Sequence, residues 1–195
     1  LPEVRATLPA RIQGPRDAAR PRPRAIPLPG EVTNETSDRL AADGGTESPD
    51  GLLLVEGTAP LAAWHRFLDG LRDGHRGLCF TREPPSRMRA FAGPRDVEIF
   101  WISNLGQPDS VSPADVEGFE AVIRQALLER QVTGVYLEGI EYLIIVQSIE
   151  RTVQLLLELD RLCRSFKACA WIPVNPSLLR SEVLDQLRAS FPSET

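Results

Sequence analysis

Three glutamates, Glu83, Glu138 and Glu141, have the side-chain chemistry of a small carboxylate site. Glu83 ends the segment GLCFTRE, and the other two lie in the run VYLEGIEYL at 135–143. Carboxylates that hold a magnesium ion can bind and orient phosphate groups. The same residues can also serve structure alone, by capping helices and accepting hydrogen bonds from local backbone. The sequence therefore predicts an acidic site and leaves both uses open.

The groups that hold a triphosphate are missing from the sequence. A phosphate-binding loop of the form GxxxxGK[ST] is absent, and the single lysine is Lys167. Gly57 and Thr58 precede a helix, whose N-terminus could bind an anion weakly, with Arg82 as counter-charge. Glu56 would repel phosphate, and Pro60 has no N–H to donate. We therefore expect no cofactor, with Mg-ATP as the alternative.

The segments that would position these residues alternate between strand and helix from Gly51 onward. Short apolar runs predict five strands, at 52–58, 77–83, 97–103, 134–143 and 168–174. Apolar residues at helical spacing predict helices at 60–74, 86–92, from 112 onward (Ser112 as cap, Pro113 in the first turn), 147–166 and 181–189. Such alternation favours an α/β fold with three layers, doubly wound around a mainly parallel five-stranded sheet.

The carboxyl ends of these strands are the expected place for a ligand or partner. The residues predicted to form this rim are Glu56, Gly57, Thr58, Arg82, Glu83, Asn104, Glu138, Glu141 and Asn175. We assign no catalytic residue and no metal ligand set. The two histidines, His65 and His75, stand in no recognisable catalytic or metal-binding spacing.

The first 50 residues differ in composition from the rest. They hold eight of the 17 prolines and no aromatic residue, and they are basic up to Arg24 and acidic afterwards. Ordering a residue costs about 1–2 kcal/mol of backbone entropy, which this composition cannot offset by burial. We predict a disordered linker at 1–50 and an α/β domain at 51–195. A basic arm that binds an acidic partner is the alternative for the linker.

Overall composition narrows the classes of partner. The net charge of −5 disfavours nucleic acid and anionic membrane surfaces, and no stretch approaches the ~20 apolar residues of a membrane span. The cysteines Cys79, Cys163 and Cys169 are scattered in apolar segments, where we expect them to act as small hydrophobes. Such thiols suit a reducing compartment, so we expect a cytoplasmic protein.

Five blocks of sequence resemble the domain of unknown function 835 family. They are GLCFTREPPSRMR, IFWISN, SPADVEGFEAVI, GVYLEGIEYLI and IPVNP, in order and with ordinary spacing over about residues 52–190. The family occurs in bacteria and archaea, often at the end of sensor or response-regulator chains, and has no established activity. The resemblance therefore implies a signalling context.

The block order is also similar to KaiC and RecA-type ATPases. By that similarity, Glu83 falls where KaiC-like proteins place a catalytic glutamate, and Glu138 falls where they place the acid on the metal side. The segment EGTAPLAAW at 56–64 replaces their glycine-rich loop. The resemblance implies a degenerate P-loop architecture.

Together these observations favour a non-catalytic regulatory or protein-interaction domain in cytoplasmic signalling. Its expected partner is another protein or an upstream signalling domain, and self-association is possible. The alternative is a divergent nucleotide-binding protein or slow Mg-ATPase that uses Glu138 and Glu83.

Overall fold

The structure is a computed structural model that describes residues 50–71, 75–129 and 132–194. The predicted linker at 1–50 lies outside the described residues, except for Asp50. Within the described ranges the chain forms an α/β domain with seven strands and six α-helices. The strands are β1 (Gly51–Glu56), β2 (Arg76–Thr81), β3 (Val97–Ile102), β4 (Ser110–Val111), β5 (Val132–Leu137), β6 (Cys169–Val174) and β7 (Ser193–Glu194). The helices are α1 (Leu61–Gly70), α2 (Pro85–Ala92), α3 (Val116–Glu129), α4 (Ile140–Val146), α5 (Ile149–Phe166) and α6 (Ser181–Ser190).

All seven strands are parallel and lie in one sheet of order β4-β3-β2-β5-β6-β1-β7. From β1 the chain first moves through α1 and α2 toward the β4 edge. It then returns through α3, α4, α5 and α6 toward β7. Because crossovers between parallel strands keep a right hand, the outward and returning connections must cross opposite faces of the sheet.

Two separate apolar cores confirm that helices cover both faces. In β1, Leu52 and Leu54 join the core under α3 to α6, while Leu53 and Val55 join the core under α1 and α2. This division follows the two-residue period of a strand, whose successive side chains point to opposite faces. The predicted α/β fold, with helices on both faces of a parallel sheet, is therefore confirmed.

Helix α1 packs closely on the sheet because two glycines face it. Gly77 of β2 lies opposite Gly134 of β5 in the register of the two strands. A Cβ at Gly77 would lie 2.6 Å from Phe67 Cζ, and one at Gly134 would lie 2.7 Å from Leu71 Cδ2. Because glycine has no side chain, Phe67 and Leu71 can pack directly against the sheet at these two positions.

The strand count and one strand boundary were predicted wrongly. The sheet has seven strands rather than five, because β4 and β7 each span only two residues and have no apolar run to reveal them. The strand predicted at 134–143 ends at Leu137, and α4 begins at Ile140. Gly139 makes the break, since its φ of 89° is a left-handed conformation that glycine adopts freely.

The start of α3 also differs from the prediction. Ser112 and Pro113 form a turn before the helix, which begins at Val116. The Gly118 amide donates a hydrogen bond to Asp115 Oδ1 at 2.9 Å. Asp115, rather than Ser112, therefore caps the first turn of α3.

Candidate functional site

A cleft of about 410 Å³ opens at the carboxyl ends of β2, β5, β6 and β1. These four strands are neighbours in the sheet, so the residues that follow them meet at one edge. Most of the predicted rim lines this cleft: Gly57, Thr58, Arg82, Glu83, Glu138, Glu141 and Asn175. Predicted residues from four separate loops are thus brought into one site.

The other two predicted rim residues make contacts elsewhere. Glu56 ends β1, and its carboxylate accepts hydrogen bonds from Arg188 Nε at 2.8 Å and Nη2 at 2.6 Å. Asn104 follows β3, and its side-chain oxygen accepts a hydrogen bond from Ser112 Oγ at 2.9 Å. Neither residue lines the cleft. Glu56 instead joins β1 to α6, and Asn104 supports the turn before α3.

Thr81 connects the two central carboxylate residues. Its side chain is fully buried, and its hydroxyl donates a hydrogen bond to Glu138 Oε2. The same hydroxyl oxygen accepts a hydrogen bond from the Glu83 amide at 3.0 Å. Since Thr81 ends β2 and Glu138 follows the neighbouring strand β5, this contact fixes the two loops together across the floor of the cleft.

The charge of Glu138 is disfavoured by its surroundings. Burial raises the pKa of the Glu138 carboxyl above its ordinary value, and the charges of Glu83 and Glu141 raise it further. The hydrogen bond from Thr81 and the charge of Arg82 act in the opposite direction. A cationic ligand in the cleft would relieve the repulsion among the three carboxylates.

Glu141 and Asn175 organise the opposite wall of the cleft. The Glu141 carboxylate, in the first turn of α4, accepts a hydrogen bond at 2.7 Å from the backbone N–H of Asn175. The Asn175 side-chain oxygen in turn accepts a hydrogen bond from the Ser177 amide at 3.0 Å, which caps a short 3-10 helix at Pro176–Leu178. Both residues therefore have structural roles in addition to lining the cleft.

Arg82 is the arginine that lines the cleft. Its guanidinium carbon lies 4.1 Å from the centre of the Tyr142 ring, a cation–π contact. A Cβ at Gly139 would lie 3.0 Å from Arg82 Cγ and Cδ, so the glycine lets this side chain pass. The Arg82 carbonyl also accepts a hydrogen bond from Trp101 Nε1 at 3.1 Å. These contacts hold the Arg82 guanidinium on Tyr142.

A second, smaller pocket of about 100 Å³ adjoins the cleft and is mainly apolar. The two cavities share Pro60, Glu83 and Glu138. The additional residues that line the small pocket include Leu61, Trp64, Met88, Phe91 and Tyr136. The site therefore combines an acidic part with an apolar part.

Two aromatic residues of the small pocket carry polar groups. The Tyr136 hydroxyl donates a hydrogen bond to the Pro60 carbonyl at 3.3 Å, and burial keeps the pKa of this phenol far above its ordinary value. The Trp64 side chain is 1% exposed, and its indole N–H has no hydrogen-bond partner. A buried donor without an acceptor is costly, so Trp64 would gain from an acceptor on a ligand.

Sequence reasoning placed Thr81 and Gly139 at the predicted strand ends without giving them a role, and it missed Tyr142 and Trp64 as members of the site. Trp64 was read as part of a helix, and nothing in its neighbours marks it as a site residue. For Gly139 a signal existed, since a glycine inside a strand-like run often marks a break. Tyr142 became relevant only through the helix that this break allows.

Metal binding by protein groups alone is not supported in the described part of the chain. No group of three or more His, Cys, Asp or Glu residues there is arranged to hold a metal ion.

No helix in the described ranges combines the length and apolar composition needed to cross a membrane. The three cysteines, Cys79, Cys163 and Cys169, are all buried, as their apolar neighbours predicted.

A comparison with models of known protein families identifies the family of this chain. The family model described as "Protein of unknown function (DUF835)" matches residues 62–191. The chain belongs to this family. A comparison with curated proteins finds no match. The matched range of the DUF835 domain includes Arg82, Glu83, Glu138, Glu141 and Asn175, whereas Gly57 and Thr58 precede it. The acidic side of the cleft is therefore part of the family domain.

Proposed function

We propose that this DUF835 domain is a non-catalytic regulatory or protein-interaction domain of cytoplasmic signalling, built on an ATPase-like scaffold without a phosphate-binding loop. The observation that carries the proposal is the charge of the cleft. Three glutamates face it, and Arg82 is the only cationic residue among the described residues that line it. This formal balance of −2 disfavours a triphosphate, which is itself an anion.

Among the described residues, two backbone positions between β1 and α1 cannot donate to a triphosphate, and the lysine lies elsewhere. The Gly57 amide donates to the Val174 carbonyl at 2.9 Å, and Pro60 has no amide hydrogen. Lys167 follows α5 and precedes β6, so it lies at the amino end of the strands, away from the cleft. Arg87, which lines the small pocket, is already paired with the Glu83 carboxylate at 2.8 Å.

Exposed apolar side chains around the same edge support a role in protein interaction. Leu61 is 49% exposed, Leu105 66%, Ile145 82% and Leu178 68%. All four follow the carboxyl ends of strands, after β1, β3, β5 and β6 respectively. Of these, Leu178 lines the cleft and Leu61 lines the small pocket, and exposed apolar groups beside a polar cleft are a feature of interaction surfaces.

One observation favours the alternative of a divergent nucleotide-binding protein or slow Mg-ATPase. Glu83 and Glu138, the two acids that correspond by resemblance to KaiC-like positions, are joined through Thr81 in one cleft. Magnesium commonly takes one or two carboxylates together with substrate phosphates. The two carboxylates would suffice only if the nucleotide itself completed the coordination.

Calorimetry with millimolar Mg-ATP separates the two functions. The proposal expects no heat of binding and no release of phosphate. Heat that disappears in both Glu83→Gln and Glu138→Gln would establish nucleotide binding instead, and release of phosphate that is lost in the same variants would overturn the non-catalytic role.

Affinity capture with rim variants tests the interaction role. Protein captured by the wild-type domain should be lost with Ile145→Asp and Leu178→Asp. It should be retained with Leu157→Asp, a matched control at a 48% exposed position on α5. Equal capture by all three variants would show that this edge is not the interaction surface.

A further inference from the structure

The cleft and the small pocket together define the chemistry of a ligand. The cleft is lined by the carboxylates of Glu83, Glu138 and Glu141, of which Glu83 also pairs with Arg87 at 2.8 Å, while Arg82 is held on the Tyr142 ring. A guanidinium or ammonium group is the ligand chemistry that complements three carboxylates. Its entry would also relieve the repulsion that these groups exert on one another.

The adjoining pocket selects for an apolar group next to that cation. It has a volume of about 100 Å³ and is lined in part by Leu61, Met88 and Phe91. For comparison, an engineered apolar cavity of about 150 Å³ takes up benzene. The pocket is thus of a size for one aliphatic side chain. Since Glu83 and Glu138 line both cavities, the cation and the apolar group must lie close together on the ligand.

The third requirement is a hydrogen-bond acceptor. Trp64 lines the small pocket, is 1% exposed and has an indole N–H without a partner. A simple polyamine offers a cation but no carbonyl. A peptide that contains arginine or lysine offers the cation, a neighbouring apolar side chain and backbone carbonyls in one molecule.

We propose that this site binds a peptide segment of a protein partner, with an arginine or lysine side chain among Glu83, Glu138 and Glu141. A neighbouring large apolar residue of the same segment occupies the pocket beside Trp64. This inference rests on the proposed interaction function and specifies its partner. It also gives a use to the exposed apolar residues Leu61 and Leu178, since Leu61 lines the small pocket and Leu178 lines the cleft.

Selection from a displayed library of random heptapeptides tests the proposal on the full 195-residue chain. The selected peptides should be enriched in arginine or lysine beside a large aliphatic residue. Their affinity, measured by fluorescence anisotropy, should fall about tenfold or more in Glu138→Gln and in Glu141→Gln, because each removes a charge-assisted contact. Glu150→Gln is the matched control. It removes the same charge from an exposed residue outside the cleft, and it should change affinity by less than about twofold.

Three outcomes would overturn the proposal. The first is selection without enrichment, or with enrichment in acidic residues. The second is equal loss of affinity in Glu150→Gln, which would indicate attraction by net charge alone. The third is binding of spermidine as tight as that of the selected peptides, which would indicate a site for small cations. Denaturant unfolding of each variant verifies that the fold is intact.

Failure of this inference is distinguishable from failure of the proposed function. If the Ile145→Asp and Leu178→Asp variants no longer capture the partner while cationic peptides are not selected, the interaction role is supported and the peptide site is refuted. If Mg-ATP is bound and hydrolysed while cationic peptides are still selected, the non-catalytic role is refuted and the peptide site is retained.

Discussion

Arg188→Ala should destabilise the domain more than the loss of an ordinary surface ion pair. Arg188 makes two short hydrogen bonds to Glu56, whose side chain is only 5% exposed, while that of Arg188 is 44% exposed. Breaking a buried pair costs about 3–5 kcal/mol, and breaking an exposed pair costs about 0.2–1 kcal/mol. This half-buried pair lies between the two limits. We expect a loss of about 2 kcal/mol in the free energy of unfolding, because the largely buried Glu56 would lose the Arg188 cation that compensates its charge.

Urea unfolding measures this loss. With a denaturant slope of about 2 kcal/mol per molar, the midpoint should fall by about 1 M. Arg161→Ala is the control. Arg161 pairs with Glu158 at 2.6 Å, but its side chain is 58% exposed, so its loss should cost less than about 1 kcal/mol. The double variant Glu56→Gln with Arg188→Ala should recover about half of the loss, because it removes the unpaired charge.

The pH dependence of the same difference gives a second check. The hydrogen bonds from Arg188 lower the pKa of Glu56 below its ordinary value of 4.5 in the folded protein. A lowered carboxyl pKa contributes stability above pH 4.5, and this contribution is lost as the pH falls through the folded value. The gap between wild type and Arg188→Ala should therefore shrink below pH 4.5. A midpoint shift no larger than that of Arg161→Ala, or one that does not change with pH, would refute the reasoning.

Three further predictions concern positions where the packing leaves little freedom. Gly77→Ala should lower the free energy of unfolding by about 1–3 kcal/mol in a denaturant titration, because its Cβ would overlap the Phe67 ring. Gly139→Ala should lower the free energy of unfolding by about 1–2 kcal/mol in the same measurement, since φ at Gly139 is 89°. Gly139→Asn should cost less, because asparagine tolerates this conformation better. Equal costs would show that the backbone angle is not the cause. Cys79 should not react with a thiol reagent until the domain unfolds. The residue is 0% exposed, and burial raises the pKa of its thiol well above the ordinary value. Reaction at the rate of a free thiol would contradict this.

The layers and the parallel sheet could be predicted from the sequence because alternating strands and helices admit few other arrangements. The gathering of residues at one edge followed from the same argument, since parallel strands all end on the same side. The direction of each side chain could not be predicted. Glu56 and Asn104 follow strands as Glu83 and Glu138 do, yet they contact Arg188 and Ser112 rather than the cleft. Their partners are 132 and 8 residues away in sequence, and only the folded chain brings them together.

The error at 134–143 had consequences for the site as well as for the fold. A short apolar run does not distinguish a buried strand from a buried helix, and IEYLIIV at 140–146 is apolar almost throughout. A strand continued past Leu137 would advance about 3.3 Å per residue, carrying Glu141 roughly 13 Å beyond the end of the strand. The turn at Gly139 instead begins a helix, which places Glu141 within 2.7 Å of the Asn175 amide.

The same turn produces both features on which the proposed function depends. In α4, Ile140 and Leu143 are buried, while Ile145 is 82% exposed. A single left-handed glycine therefore begins the helix that brings a third carboxylate to the cleft and presents an exposed apolar residue. Because both effects come from one backbone conformation, loss of the turn should weaken the acidic site and the apolar rim together. Gly139→Ala should therefore reduce both cationic-peptide affinity and partner capture if the two belong to one binding surface.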